Sequence, residues 1–321
     1  MCIKGREFAM GEIVGSRKSR QLLVPAGRWR HLLSWFLMGL LSIGGVASEA
    51  SAGVPEPREA TLRGFHNYVS KVEARNQEGL SRGAYLWIDE LPELERTRAY
   101  AKLKQGGVEM RRLGKDDGKG AGGMIHDWEG MVFIPGAKLD QVLAVLQDYN
   151  KHSVYYAPDV EKAKIESREG DHFRVYMRFR RKKVVTVVLN TEQDVMYFRD
   201  SGTREHSRSS AVRIREVANP GTKGEKEKSP EEENGFLWQM ETWWHMEERD
   251  GGVYLQNEAV TLTRDIPAGL GWLIGPFVTS IPKETLEFTM NATREAVLGQ
   301  AKRSGKVSVP DINIPQLRLP E

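Results

Sequence analysis

From residue 160 to residue 264 one strand pattern follows another, with no crossover helix between them. A sheet built from such a run is antiparallel, because parallel neighbours need a crossover of a dozen or more residues. The alternating patterns predict strands at 160–167, 171–180, 184–193, 195–200, 207–217, 236–247 and 253–264. They are joined by hairpin signals such as Glu169-Gly170-Asp171 and Asp250-Gly251. Upstream, 125–134 reads as a further strand, broken by Pro135-Gly136 before an apolar helical face over 138–148 made by Leu139, Val142, Leu143, Val145 and Leu146. Downstream, Pro282 opens a helix over 283–298 with Leu286, Met290 and Val297 along one side. The fold class that follows is α+β, a curved antiparallel sheet with a long C-terminal helix.

Alternation says which side of the sheet is apolar. In 171–180, Phe173, Val175, Met177 and Phe179 share one face and His172, Arg174, Tyr176 and Arg178 the other. In 236–247 the inward set is Phe236, Trp238, Met240, Thr242, Trp244 and Met246, which leaves Trp243 for the opposite face. If Asp250-Gly251 is a two-residue turn, Trp244 pairs with Asn257 and Met240 with Thr261, so large residues face small ones and space is left over the last strand. A three-residue turn instead sends Tyr254, Glu258 and Arg264 inward. The sequence leaves both registers open.

The first 52 residues have the order of a secretory leader: Arg17, Lys18, Arg20, Arg28 and Arg30, an uncharged stretch from Leu32, then Ala50-Ser51-Ala52 as a small-x-small cleavage site. Export to the periplasm or beyond, with cleavage after Ala52, is the expectation; an uncleaved anchor is the alternative. The chain has 47 basic and 44 acidic residues, of which 7 and 3 lie in positions 1–52, so the remainder carries 40 and 41 and is close to neutral. The basic excess is therefore no argument for nucleic acid. Cys2, the single cysteine, leaves with the leader, which removes disulfides, thiolate nucleophiles and Cys-bound zinc from the mature chain.

Between the leader and the sheet, Leu62, Phe65, Val69 and Val72 recur at helical spacing over 58–78, and a second, less regular helical stretch covers 85–103. A strand at 108–113 runs into the glycine-rich stretch 114–123, which lacks the Gly-Lys-Ser/Thr ending of a phosphate loop and reads as a boundary. The organisation expected is a leader at 1–52, a helical extension with linker at 53–123, the main domain at 124–299 and a polar tail at 300–321. The charged stretch 219–234 reads as a solvated loop. Six histidines remain after the leader, with no metal-ligand spacing and no partnered serine, and no cofactor motif is read.

One helix after the first strand, a curved meander and a long last helix is the order of the helix-grip fold. Phe133-Ile134-Pro135-Gly136, the helix end Leu146-Gln147-Asp148-Tyr149 and the run Tyr155-Tyr156-Ala157-Pro158-Asp159-Val160 resemble the opening of START-related proteins, including their polyketide-cyclase and coenzyme-Q-binding branches. The resemblance covers about 125–298. It implies a hydrophobic cavity between the sheet and the last helix, of the kind that superfamily uses to hold lipids, sterols, isoprenoids or polyketides.

The expected function is binding of a hydrophobic small molecule or lipid, with transient membrane contact as a corollary and no nucleic-acid partner. The residues expected to line the cavity are Phe173, Val175, Met177, Phe179, Phe236, Trp238, Met240, Trp244, Leu286 and Met290. Tyr254, Glu258 and Arg264 are the candidates for polar contacts, and on them rests the alternative of a cyclase or dehydratase. The greasy, glycine-broken stretch 265–282, with Leu270, Trp272 and Phe277, is expected to be neither helix nor strand and to act as a gate. A third reading is an interaction module in which residues 53–123 dock a partner.

Overall fold

The computed structural model describes residues 57, 59–114, 122–182, 186–265 and 271–303, without the side chains of 271–279 and 301–303. The leader and its cleavage point, most of the glycine-rich linker, Leu270 and the tail beyond 303 lie outside the described residues. All the described residues belong to one compact unit, Ala52–Glu321.

Helix α1 (Glu59–Ser81) buries Thr61, Phe65, Val69 and Val72, the predicted apolar stripe. A 3-10 turn (Trp87–Glu90) and helix α2 (Glu93–Lys104) follow, split where Pro92 cannot continue a helix. The strands are β1 (Glu109–Leu113), β2 (Gly123–Pro135), β3 (Val160–Glu169), β4 (His172–Lys182), β5 (Thr186–Arg199), β6 (Arg204–Ala218), β7 (Lys226–Glu227), β8 (Gln239–Arg249) and β9 (Gly252–Arg264). Every pairing among them is antiparallel, in the order β1-β2-β9-β8-β6-β5-β4-β3, with β7 on β6. Helices α3 (Leu139–Leu146) and α4 (His152–Tyr155) fill the β2–β3 connection, and α5 (Gly271–Arg303) closes the chain.

Three elements depart from the sequence reading. Strands expected at 184–193 and 195–200 are the single strand β5, because the polar run Glu192-Gln193-Asp194 is not a turn: Gln193 is buried and hydrogen-bonded on the inner face. Residues 219–234 are not merely solvated, since Glu225 and Glu227 reach Arg178, Arg213 and Asn190 and the buried Glu216 accepts from Asn234 and Phe236. Helix α5 begins at Gly271, not at Pro282, so 271–282 is not an irregular gate loop. The glycines and prolines read as breakers, but Leu273 with Phe277 and Ile274 with Val278 stand at i,i+4, and that helical spacing prevails.

Asp250 and Gly251 both take positive φ, 57° and 77°, as a two-residue primed turn requires. The register is therefore the first of the two left open: Trp244 opposite Asn257, Met240 opposite Thr261. Val253 and Leu255 then face α5 in the main core with Val132, Ile134, Phe173, Val175, Met246, Leu286 and Met290. Alternate residues of the same strands face the other way and are covered by the N-terminal helices. Met131, Phe133 and Tyr254 pack with Leu86, Ile88 and Leu103, while Trp243, Val260 and Leu262 pack with Phe65, Val69 and Val72. The centre of the sheet is thus sandwiched between an outer helical layer and α5. Each of these apolar side chains contributes about 1.5–3 kcal/mol by leaving water.

Candidate ligand site on the inner sheet face

The inner face, toward α5, has two dissimilar halves. One is solid. Helix α5 packs tightly over Gly130, where a Cβ would lie 3.3 Å from Met290 Cγ and, on the neighbouring strand, 2.7 Å from Met110 Sδ, so glycine permits the close approach there. Leu286, Met290, Val297 and Leu298 close over Val132, Ile134, Val253 and Leu255 there.

Toward the other end of β2, β9 and β8 the covering is thinner. Register puts Trp128 beside Ala259, Ala259 beside Thr242, and Met240 beside Thr261 on this same inner face. These five, with Trp244, are only half-buried. Along β9 the contrast is direct: the outer-facing Tyr254, Gln256, Glu258, Val260 and Leu262 are all buried, whereas the inner-facing Ala259, Thr261 and Thr263 are not.

This wall is uncharged and short of hydrogen bonds. Ser207, opposite Trp244, is 1% exposed, and neither its Oγ nor the buried Nε1 of Trp128 has a hydrogen-bond partner among the described residues. Next to them a polar stripe is satisfied internally: Ser209 Oγ donates to Gln193 at 2.9 Å, Gln193 Nε2 to Thr191 at 3.3 Å, and Thr191 Oγ1 to the Met177 carbonyl at 3.1 Å. His126, on the same face, lies 3.1 Å from Thr263 Oγ1. Burial, helped by the nearby Arg112 charge, pushes its pKa down to about 4, so the imidazole is neutral at physiological pH.

The expected lining residues divide between these regions and the outside. Phe173, Val175, Met177, Leu286 and Met290 are in the solid half, with Phe179 partly buried against it. Met240 and Trp244 are in the open half. Phe236 and Trp238 are not on the inner wall: β8 begins only at Gln239, after Gly235 turns the chain at positive φ. Phe236 is 43% exposed, and Trp238 packs with the α1 cluster on the outer side. Tyr254, Glu258 and Arg264 face outward because the two-residue turn fixes their parity. Trp272 and Phe277 lie on α5, but their side chains are outside the described residues, as is Leu270. Nothing local in the sequence singles out Trp128 or Ser207. Each lies inside an ordinary strand pattern and acquires meaning only from its cross-strand neighbours.

The outer face holds the densest chemistry, and it is closed. Asp127, Glu129 and Glu258 are buried together on β2 and β9, with Glu129 and Glu258 directly opposite each other. From α1, Tyr68 donates to Asp127 at 2.7 Å, and Arg75 and Asn76 reach Glu258. Arg111 Nε donates to Glu129 Oε2 at 2.5 Å and Gln256 Nε2 to Oε1 at 2.6 Å; the Trp87 backbone N–H in turn donates to Gln256. Three carboxyls against two arginines leave one acid in excess. Burial first, then the neighbouring carboxylates, raise the Asp127 pKa; burial raises Glu129 despite Arg111. The cluster can hold a proton near neutral pH, but the protein's own side chains fill it.

A separate cleft of about 380 Å³ lies beside α3, lined by polar groups including Asp140, Gln147, Asp171, Arg199 and Glu205. Arg199 bridges Glu205 at 2.7 Å and Asp140 at 3.1 Å across it. Among the described residues no group of three or more His, Cys, Asp or Glu side chains is arranged to hold a metal ion.

A curved antiparallel sheet with short helices after its second strand and a long last helix laid across its inner face decides the architecture. This is a helix-grip fold. No family model matches the sequence, and no curated protein sequence matches it either. Among solved structures the chain is similar to a STAR-related lipid transfer protein from Xanthomonas axonopodis, at 18% identity and a TM-score of 0.39 over 59% of this chain and 94% of that one. It is also similar to human STARD10, at 9% and 0.39 over 68% and 86%. A third is the Zhui aromatase/cyclase of a Streptomyces species, at 16% and 0.35 over 57% and 96%.

Proposed function

We propose that this protein binds a hydrophobic small molecule or lipid against the open half of the inner sheet face, where Trp128, Met240, Trp244, Ala259 and Thr261 form the wall. The observation that carries this reading is the inversion of burial along β9. Over 259–263 the face that should be the core is the less covered one, while the opposite face, with Glu258, Val260 and Leu262, is packed. Apolar and aromatic surface left accessible beside a helix is the material of a ligand site. The side chains on which a cyclase or dehydratase reading rests, Tyr254, Glu258 and Arg264, face the other way.

We further propose that the protein works after export, because its first 52 residues have the layout of a secretory leader. No helix of the described residues is long and apolar enough to cross a membrane. Native mass spectrometry and solvent extraction of the protein purified from its own host test the binding proposal. A co-purifying apolar molecule at a one-to-one ratio is expected; bare protein in repeated preparations would sink it.

A further inference from the structure

We infer that the ligand is an amphipathic anion, its apolar body on the open wall and its carboxylate or phosphate at the Trp128 end; this rests on the binding site proposed above. The inference comes from how donors and acceptors are distributed around that wall.

Three donors gather at Trp128. The first is its own Nε1, buried and without a hydrogen-bond partner among the described residues, on a side chain that can only donate. The second is Lys283 on α5, whose Nζ lies 6.0 Å from the centre of the Trp128 ring. The third is Arg112 on the edge strand, paired in register with Trp128 and close enough for its charge to act on His126. Lys283 and Arg112 are both exposed. No carboxylate among the described residues forms an ion pair with either, although nearly every other arginine of the sheet has one: Arg178 with Glu161, Arg181 with Asp159, Arg204 with Glu247, Arg213 with Glu227.

Glu287, one helical turn from Lys283 on α5, forms no ion pair among the described residues. Glu284, one residue from Lys283, turns to Arg181. Glu205 sits at the opposite end of the inner face, on Arg199. The chain from Ile266 to Thr279, which leads into and begins α5, has no ionisable side chain at all.

An apolar wall that ends in one buried neutral donor and two rim cations, neither paired with a carboxylate among the described residues, is complementary to a molecule with an apolar body and an anionic end. A neutral end would satisfy Nε1 and leave the cations idle. A cationic end would be repelled by both. The rim position matters physically, because an anion there keeps part of its hydration and avoids the cost of full burial.

The experiment compares two probes that differ only at the polar end. Full-length protein stripped of bound lipid is offered oleate and methyl oleate in competition, with occupancy read by native mass spectrometry. Oleate is expected to be favoured about tenfold or more, as a charge-assisted hydrogen bond to Nε1 would give. Lys283→Gln and Arg112→Gln should each lower that preference about two- to fivefold, the range of exposed charge pairs. Both sites are exposed, so these variants fold whatever the outcome. Trp128→Phe should remove most of the remaining preference, read as the ratio of oleate to methyl oleate occupancy in the same variant so that any change in overall binding cancels.

Equal binding of the two probes would overturn the anion inference and leave the ligand site standing. Binding of neither would overturn the site itself. A preference for oleate that survives all three substitutions would overturn the assignment to the Trp128 end. Repeating the competition with a phosphatidic acid and the matching diacylglycerol distinguishes a phosphate from a carboxylate head.

Discussion

The two faces of the β2–β9 pair solve opposite problems with opposite means. On the outer face, three buried carboxyls are met by arginines, a tyrosine and two carboxamide side chains from α1, β1 and β9, and a helix seals the whole. On the inner face at the same depth along the strands no carboxylate lies among the described residues, and the side chains beside Trp128 Nε1 and Ser207 Oγ stay half-exposed. A buried charge is tolerable only when paired, so the outer carboxylates need their arginine partners in the folded chain. Unpaired neutral donors cost less, so a protein can carry them where a ligand will satisfy them. Buried atoms without a hydrogen bond among the described residues occur on both faces, Asp127 Oδ1 and Trp87 Nε1 on the outer one among them, so it is the thin cover over the inner wall that marks it as a site.

The largest effect that would sharpen this contrast is on the outer face. Arg75→Met leaves Glu258, which is 0% exposed, facing Glu129 and Asp127 with only Asn76 for relief. Loss of stability of about 3–5 kcal/mol is expected, as when one partner of a buried pair is removed. Adding Glu258→Gln should recover most of it. Urea midpoints of the two variants measure this, and an Arg75→Met protein within about 1 kcal/mol of the parent would mean that the outer cluster is open to water after all.

A smaller effect follows from the excess acid. Asp127 is pushed up to about 8 and Glu129 to about 7, so the folded protein keeps protons that the unfolded chain has already released near pH 4. Their contribution is whole below that range and is lost as pH rises through the folded values. Buried His126, His152 and His245, all lowered to about 4, act oppositely but only below about pH 6.5. Between pH 7 and 9 the carboxyls stand alone, and stability should fall by about 1–3 kcal/mol. Asp127→Asn should flatten the slope. A slope that is unchanged in that variant would remove Asp127 as the proton's holder.

Much of this architecture is legible in the amino-acid sequence alone. Alternation places Met240 and Trp244 inward and Trp243 outward, and the Asp-Gly turn narrows the last hairpin to two registers, one of which the positive φ of Asp250 realises. The pairing of large with small residues over β9 already points to space there. What local patterns do not carry is anything that depends on a partner distant in sequence. Nothing near Glu258 announces Arg75, 183 positions away, so a buried glutamate reads as improbable there. Gln193 reads as a turn residue until Ser209 and Thr191 are beside it. The start of α5 is hidden by local breakers, which outweigh the i,i+4 spacing of Leu273 with Phe277 and Ile274 with Val278 when the stretch is read residue by residue.

The smallest expected effect is the one that most directly separates the two faces. Ala259 stands on the inner wall between Trp128 and Thr242, half-exposed, whereas its neighbours Glu258 and Val260 point into the sealed outer layer. Ala259→Leu adds three carbons to the inner side. In a packed core that enlargement costs about 1–3 kcal/mol through strain. Where the wall borders accessible space, the leucine has room and gains some burial, so stability should move by less than about 1 kcal/mol. Retention of the apolar ligand should drop at the same time, because the added side chain takes up the volume the ligand would occupy. A strongly destabilised Ala259→Leu would show the inner face to be as closed as the outer one, and the distinction on which the ligand site rests would be gone.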